Sequence, residues 1–507
     1  MKDFFLMSVA MLWLGPFSPL DANPAVRYAA ASSAIVVKTI SRDTVCDDEY
    51  RVAANIRLHF TNGARIVRGN GCSIRFDGVG IDDPESTTPR FVGFSPGDIR
   101  WTGETFPTMV SSRLWAKADV SDQIKNAIAS MAGKQGVTIK VYPGNLGSGW
   151  QLERGQSLYL TRGVYTNTVN APDAIEFFLA SNTSVYGDGP NATIIQESAS
   201  AGRNVRVFGP SGFKDGPFAG GNAKINIHDL AIEGNPRQAF VDNGPTTIML
   251  GNCVDCHALR VRLKDTHAYG IFIGGFHSLG FSARNSSIEY CEFDHVVGQN
   301  SGALNGINIS ILHNRYLNIG RLPTDPISNA IDVEPNAPDE ITENIVICDN
   351  QIDGRGSRAY WNGILVQIGS SKHEVSGGQV CRNAVLGRDL PNGTGALLNG
   401  ITIAGGANIS VFDNQVQGAM QSGMYLNLAR GLDVRNNTLT GVAPGGIFAV
   451  RVENVTGSAF TNNSISKTNG AEDDRFVELG RSGNNVYAGN KRGAVVLQGS
   501  SVEHSHQ

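Results

Sequence analysis

Charge is scarce in this chain: Asp, Glu, Lys and Arg make up 17% of its 507 residues and nearly cancel, leaving a formal net charge of −4. No block of Lys and Arg occurs anywhere. The basic footprint that a phosphate backbone or an anionic membrane surface requires is therefore missing, which excludes a nucleic-acid partner. After the first 20 residues no apolar run is long enough to cross a bilayer, so no stable membrane insertion of the mature chain is expected. No repeating segment shows the 3.6-residue apolar spacing of a helix. What the chain has in excess is glycine, 60 residues, with a heavy load of asparagine, the composition of a turn-rich all-β protein.

The N-terminus reads Met1-Lys2-Asp3, then an apolar stretch from Phe4 to Leu14, then Gly15-Pro16 and small residues ending near Ala22. That layout is expected of a signal peptide, with a short membrane anchor as the alternative. Seven cysteines leave at least one unpaired. Cys46 and Cys72 are a plausible disulfide in an oxidising compartment. Cys253-Val254-Asp255-Cys256 is one CxxC without a second, a weak signal for zinc or redox chemistry.

Internal repeats are visible. Ile-Leu-His-Asn314-Arg-Tyr, Ile-Cys-Asp-Asn350-Gln-Ile, Val-Cys-Arg-Asn383-Ala-Val, Val-Phe-Asp-Asn414-Gln-Val, Val-Arg-Asn-Asn437-Thr-Leu and Phe-Thr-Asn-Asn463-Ser-Ile align, their asparagines stepping by 36, 33, 31, 23 and 26. Upstream, Cys291, Val261 and Leu230 fit the asparagine position. A second frame begins at Gly270-Ile, Ala330-Ile, Gly363-Ile, Gly400-Ile, Gly423-Met and Gly446-Ile, and the coil near Ser301 to Ala303 fits it poorly. Two registers with one base period mean one unit repeated. A unit of short alternating strands cannot bury its apolar side alone, so the units must stack as a parallel β-helix. Asparagine suits a corner because it tolerates the left-handed conformation and its amide can bond the asparagine of the next coil.

Ahead of the repeats, Trp115-Ala116-Lys117-Ala118-Asp119 leads into Ser121-Asp122-Gln123-Ile124-Lys125-Asn126-Ala127-Ile128, followed by Leu160-Thr161-Arg162-Gly163-Val164-Tyr165 and by Gly187-Asp188-Gly189-Pro190. With the repeats, these segments resemble the pectate-lyase-like superfamily of right-handed parallel β-helix proteins, which includes polygalacturonases, lyases, alginate epimerases and phage tailspikes. The resemblance covers most of the mature chain and implies an all-β solenoid whose first coil is covered by a short capping helix. Ser121 is a reasonable N-cap for it, and Ile124, Ala127, Ile128 and Met131 form its apolar face. The expected organisation is a signal peptide over residues 1–22, an N-terminal β segment over 33–100, capping helix and first coils over 101–200, the main solenoid over 201–497 and a disordered tail over 498–507. Whether residues 33–100 prepend coils or form a separate module stays open.

Length added to a coil must leave a solenoid as a loop, so insertions locate the functional face. Between the asparagine and the next Gly-Ile strand, short coils use 9 residues (414 to 423, 437 to 446), whereas the central ones use 16, 13 and 17 (314 to 330, 350 to 363, 383 to 400). The surplus carries Arg321, Asp325, Arg355, Arg358, Tyr360, Trp361, Arg388 and Asp389. Loops after the same strands carry Asp339, Glu340, Lys372, His373 and Glu374. On the strand between them, Ala330-Ile331-Asp332-Val333-Glu334-Pro335, alternation puts Ile331 and Val333 in the core, so Asp332 and Glu334 project outward together, about 7 Å apart along the backbone. Two carboxylates on one rigid strand can serve as acid and base or nucleophile in glycosidic cleavage. The bland alternative is that they pair with Arg321 or Arg358, or cap backbone amides where Pro335 ends the strand.

The expected catalytic residues are Asp332, Glu334 and Asp325. The expected sugar-binding residues are Tyr360, Trp361, Arg358, Lys372, His373, Gln367 and Tyr425, with the Tyr360-Trp361 pair for stacking on sugar. His267 and His277 lie near loops and are more simply structural. The sequence lacks both the Asp-Asp with Gly-His-Gly of polygalacturonases and the Asp-Pro-His of alginate epimerases, so the resemblance informs on fold and not on mechanism. The readings, in order, are a glycoside hydrolase, a polysaccharide lyase on a uronate polymer, and a non-catalytic carbohydrate-binding solenoid. No cofactor is required, although a lyase would admit Ca²⁺. The expected partner is a polysaccharide, the state a monomer or trimer, and the location secreted or periplasmic.

Overall fold

The computed structural model describes residues 34–169, 175–198, 206–212, 221–234, 246–266, 269–274, 282–320, 325, 328–357, 361–387, 397–442, 448–466, 476–491, 495–496 and 501–504. Residues 1–22 lie outside that set. The chain winds as a right-handed parallel β-helix, the hand expected of parallel crossovers. One continuous sheet of 28 strands supplies two sides of each coil and a second sheet of 13 strands supplies the third. A representative coil runs Gly306–Leu312, bends at Asn314, continues as Arg315–Leu317, and crosses to Ser328–Val333 in the second sheet.

Stacking in register gives each inward position a column of its own. Ile311, Ile347, Val380, Val411, Val434, Phe460 and Tyr487 form one. Ile331, Ile364, Ile401, Met424 and Val450 form another. Both columns are buried. Period-two alternation on strands about 4.8 Å apart thus becomes a continuous apolar lumen.

The asparagine ladder is a buried hydrogen-bonded column. Asn350 Nδ2 donates to Asn383 Oδ1 at 2.9 Å, Asn383 to Asn414 at 2.9 Å and Asn414 to Asn437 at 2.9 Å, and Asn490 continues the series beyond Asn463. One detail differs from expectation: the left-handed residue is the one before each asparagine, such as Asp349 (φ 62°) and Asp413 (φ 58°), which leaves the asparagine to turn inward. Asn383 makes four such bonds, donating to Ile347 O and Asn414 Oδ1 and accepting from the backbone and side-chain nitrogens of Asn350. Each partner stranded in the core costs about 1–3 kcal/mol. Asn383→Ala is therefore expected to lower stability by about 3 kcal/mol or more, read as an earlier urea midpoint; a midpoint unmoved would show the ladder to be ornamental.

Residues 36–101 form three stacked turns with three parallel three-stranded sheets, tied by a Cys46–Cys72 disulfide between successive turns. The helix Val120–Ser130 packs between the last of these turns, at Ile99–Trp101, and the coils at Val137–Val141 and Trp150–Leu152. Its N-cap is Asp119, whose carboxylate accepts from Ser121 N at 2.7 Å, rather than Ser121. Ile124, Ala127, Ile128 and Met131 are buried as expected. Two further disulfides join Cys253 to Cys256 and Cys348 to Cys381, which leaves Cys291 as a buried free thiol and leaves the CxxC without a free thiolate to ligate a metal. At the C-terminus, residues 502–504, expected in a disordered tail, form a strand paired with Val486–Ala488, because the last strand otherwise presents open N–H and C=O groups.

Candidate functional site

Ser328–Val333 sits in the middle of the 13-stranded sheet, between Ser301–Ala303 and Trp361–Gln367. Ile331 and Val333 join the core, so Asp332 lies on the opposite face beside Leu365 of the next rung, with Glu334 on the same side next to Gln367. The rung beneath Asp332 is Gly302. A Cβ there would meet Asp332 O at 2.0 Å and the Phe272 ring at 2.6 Å, which accounts for the poor repeat match around Ser301 to Ala303. Gly302→Ala has to shift the Asp332 strand, and an earlier urea midpoint is expected in that variant; an unmoved midpoint would mean that the strand has room to give.

Asp332 is 3% exposed and its Oδ1 has no hydrogen-bond partner among the described residues. Burial, reinforced by the charge of Glu334 and opposed by a hydrogen bond from Asn329, pushes its pKa up to about 8. The carboxyl is thus a proton carrier at neutral pH, while Glu334 is partly exposed. Asn329 is itself held in an amide row, accepting from Asn362 Nδ2 at 2.8 Å, whose Oδ1 accepts from Asn399 Nδ2 at 3.2 Å.

The loops after Ser328–Val333 and Trp361–Gln367 form a joined wall on one side of this strand. Ser370 N donates to Pro335 O at 3.1 Å, Lys372 N to Pro338 O at 3.0 Å, and Ser371 Oγ to Glu340 O at 2.8 Å. The Glu340 carboxylate accepts from the amides of Asn336 and Ala337, and Glu374 pairs with Arg430, so these acids are structural. Lys372 and His373 are exposed on the wall. Arg321, Arg358, Tyr360, Arg388 and Asp389, like His267 and His277, lie outside the described residues.

One expectation changes. Trp361, taken as a stacking platform, is 0% exposed: its strand position pairs with Ser328, and the indole fills the core space left by Gly354, where a Cβ would come within 1.8 Å of the ring. Asp325, taken as a third catalytic acid, lies 3.4 Å from His295 Nε2, while His295 Nδ1 bonds Asp265 Oδ1 at 2.8 Å. The Asp325 carboxylate first, and Asp265 after it, hold the buried His295 imidazole above its ordinary pKa. That pairing engages the Asp325 carboxylate with a buried histidine. Gln367 and Tyr425 do lie on the outward face, Gln367 beside Glu334 and Tyr425 three rungs from Asp332.

A second acid pair escaped the sequence reading. Asn167 Nδ2 donates to Glu176 Oε2 and to Glu197 Oε1, and the other oxygen of each carboxyl is buried without a partner among the described residues. Burial first, then the charge of Glu197, pushes Glu176 up to about 9, and burial likewise raises Glu197. Such a pair titrates as a unit and retains a proton at neutral pH. Glu176 is the second residue of the strand Ile175–Leu179, between the inward Ile175 and Phe177, where simple alternation would have turned it outward, and it is buried all the same. Among the described residues no cluster of three or more His, Cys, Asp or Glu is placed to hold a metal ion. No helix among them is long and apolar enough to cross a membrane.

The fold is a right-handed parallel β-helix, and solved structures of that architecture resemble it. The A-module of a mannuronan C-5 epimerase from Azotobacter vinelandii is similar at 17% identity and TM-score 0.47, covering 69% of this chain and 91% of that one. The surface adhesin PfbA of Streptococcus pneumoniae is similar at 13% identity and TM-score 0.48, covering 75% and 92%. The catalytic unit of a thermostable α-1,3-glucanase from Streptomyces thermodiastaticus is similar at 14% identity and TM-score 0.45, covering 78% and 69%. No protein-family model and no curated protein matches the sequence.

Proposed function

We propose that the protein is an extracytoplasmic, polysaccharide-active enzyme that cleaves glycosidic bonds across the middle coils. The observation that carries this reading is Asp332, an outward-facing carboxyl that is buried, lacks a partner on Oδ1 and holds its proton to about pH 8, two residues from a partly exposed Glu334. A protonated carboxyl with a second carboxyl beside it on a single strand matches the division of labour in glycoside cleavage. Asp332 gives its proton to the departing glycosidic oxygen as the bond to the anomeric carbon breaks. Glu334 either removes a proton from the attacking water or bonds the anomeric carbon itself. Gln367 lies next to Glu334 to bind a sugar hydroxyl, and Lys372 and His373 on the loop wall flank the chain. The signal-like N-terminus and the three disulfides support export to an oxidising compartment.

The test is incubation of purified protein with neutral and uronic polysaccharides, reading new reducing ends and the ultraviolet absorbance of unsaturated ends together. Reducing ends without unsaturation are expected. Unsaturated ends would replace hydrolysis by elimination, and binding without either product would replace both by a non-catalytic solenoid.

A further inference from the structure

The strand register continues the Asp332 stripe toward the C-terminus. Asp332, Leu365, Thr402, Tyr425 and Arg451 occupy equivalent outward positions on consecutive rungs, with Gln367, Ala404, Asn427 and Glu453 in a parallel stripe beside them. Three rungs of the first stripe carry a buried polar atom that has no hydrogen-bond partner among the described residues: Asp332 Oδ1, Thr402 Oγ1 and Arg451 Nε. Buried polar atoms are normally paired, so each one left over is an opening for a ligand group. They fall on alternate rungs, about 10 Å apart at the strand spacing of a sheet. A ligand that satisfies all three is extended, runs parallel to the solenoid axis and offers hydrogen-bonding groups at regular intervals.

The far end of the stripe is shaped. Arg451 Nη2 donates to Glu453 Oε2 at 2.7 Å, Tyr425 Oη donates to the same oxygen at 3.0 Å, and the guanidinium lies 4.8 Å from the centre of the Tyr425 ring. Arg451 belongs to the rung after Tyr425, so the face of the ring that it covers is the one away from Thr402. The rung of Thr402 and Ala404 has shorter side chains than Leu365 and Gln367 before it or Tyr425 and Asn427 after it. Thr402 itself is only 5% exposed, and its buried hydroxyl has no partner among the described residues.

We propose that Thr402 together with Tyr425, Arg451 and Glu453 forms a distal subsite for a neutral, hydroxylated sugar unit of a linear polysaccharide lying along the solenoid axis, two to four rungs on the C-terminal side of Asp332. The proposal rests on reading the Asp332 stripe as the glycan face. Glu453 already neutralises Arg451, so a uronate carboxylate would meet an acid with no spare cation, whereas hydroxyls can accept from Arg451 Nε and exchange hydrogen bonds with Thr402. The C–H face of the sugar packs on the Tyr425 ring.

The test compares wild type, Arg451→Ala, Arg451→Lys, Thr402→Val and Asp332→Asn by calorimetric titration with graded-length α-1,3-glucan, β-1,4-glucan and oligogalacturonate, and by release of reducing ends. In the wild type, affinity for one of the two glucan series is expected to rise with chain length. Arg451→Ala should lose about tenfold in affinity for long glucan oligomers, the value of one hydrogen bond from a charged donor, and nothing for the shortest. Arg451→Lys keeps the charge and the fold but not Nε, and should lose the same increment. Thr402→Val should lose part of it. Length dependence unchanged in both Arg451 variants, or binding confined to oligogalacturonate, overturns the subsite. Turnover lost in Asp332→Asn with length dependence intact in Arg451→Ala overturns the subsite alone; turnover retained in Asp332→Asn with length dependence lost in Arg451→Ala overturns the carboxylate reading alone.

Discussion

Replacing Asp332 by asparagine is expected to reduce polysaccharide turnover about a thousandfold, within the range a positioned proton donor contributes, while leaving the fold intact. Asparagine keeps the size and planarity of the side chain and removes only the transferable proton. In the wild type the same proton sets a limit on the alkaline side: the acid is present only while Asp332 is protonated, so kcat/KM should fall above about pH 8. The pKa also links to stability. Because it is raised from 3.8 to about 8, the folded protein holds a proton that the unfolded chain has lost, and stability declines as pH rises through that window. Asp332→Asn has no such proton to lose, so between pH ~5 and pH ~9 it should shed a few kcal/mol less stability than the wild type does. Turnover that survives the substitution would remove Asp332 from the chemistry, whatever the stability curve shows.

Glu176→Gln is expected to make the protein more resistant to alkaline unfolding. Glu176 and Glu197 are bridged by one Asn167 amide, and in the folded state both hold protons above the ordinary carboxylate range, Glu176 to about 9. The sign follows as for Asp332: protons kept in the fold and released on unfolding mean that stability is highest near the unfolded pKa of 4.5 and falls as pH rises through the folded value. Glutamine cannot ionise, and its amide can donate to Glu197. The urea midpoint of the variant should therefore exceed that of the wild type by an amount worth about 2–4 kcal/mol at pH ~9 and show little difference at pH ~5. Equal midpoints across the range would mean that the pair is hydrated and ordinary. Asp332 sits several coils away, so the two gains should add in the double variant.

Much of the architecture could be read from residue order. The asparagines from Asn314 to Asn463 mark one corner because only a side chain with both donor and acceptor can repeat along a stack of coils and satisfy itself. The columns through Ile311 and Ile331 follow from period-two alternation, which assigns every residue of a straight strand to a face. The same rule placed Asp332 and Glu334 together outside the core. It failed where a neighbouring segment offered room or a hydrogen-bond partner. Trp361, next to a loop in the sequence, turned into the core because Gly354 leaves room for the indole; Glu176 was drawn in beside Asn167; and Asp325 was drawn to His295. Composition carries no trace of such contacts between different sides of a coil.

The sequence by itself therefore determined that the chain stacks as a solenoid, where its sides are, and which strand carries two acids, since these depend on spacing along one polypeptide. Only the tertiary structure decided which acids lose their water, which find a partner, and which polar atoms on the outward stripe are left without one. Desolvation and pairing depend on atoms brought in from neighbouring coils, and no local pattern encodes their approach.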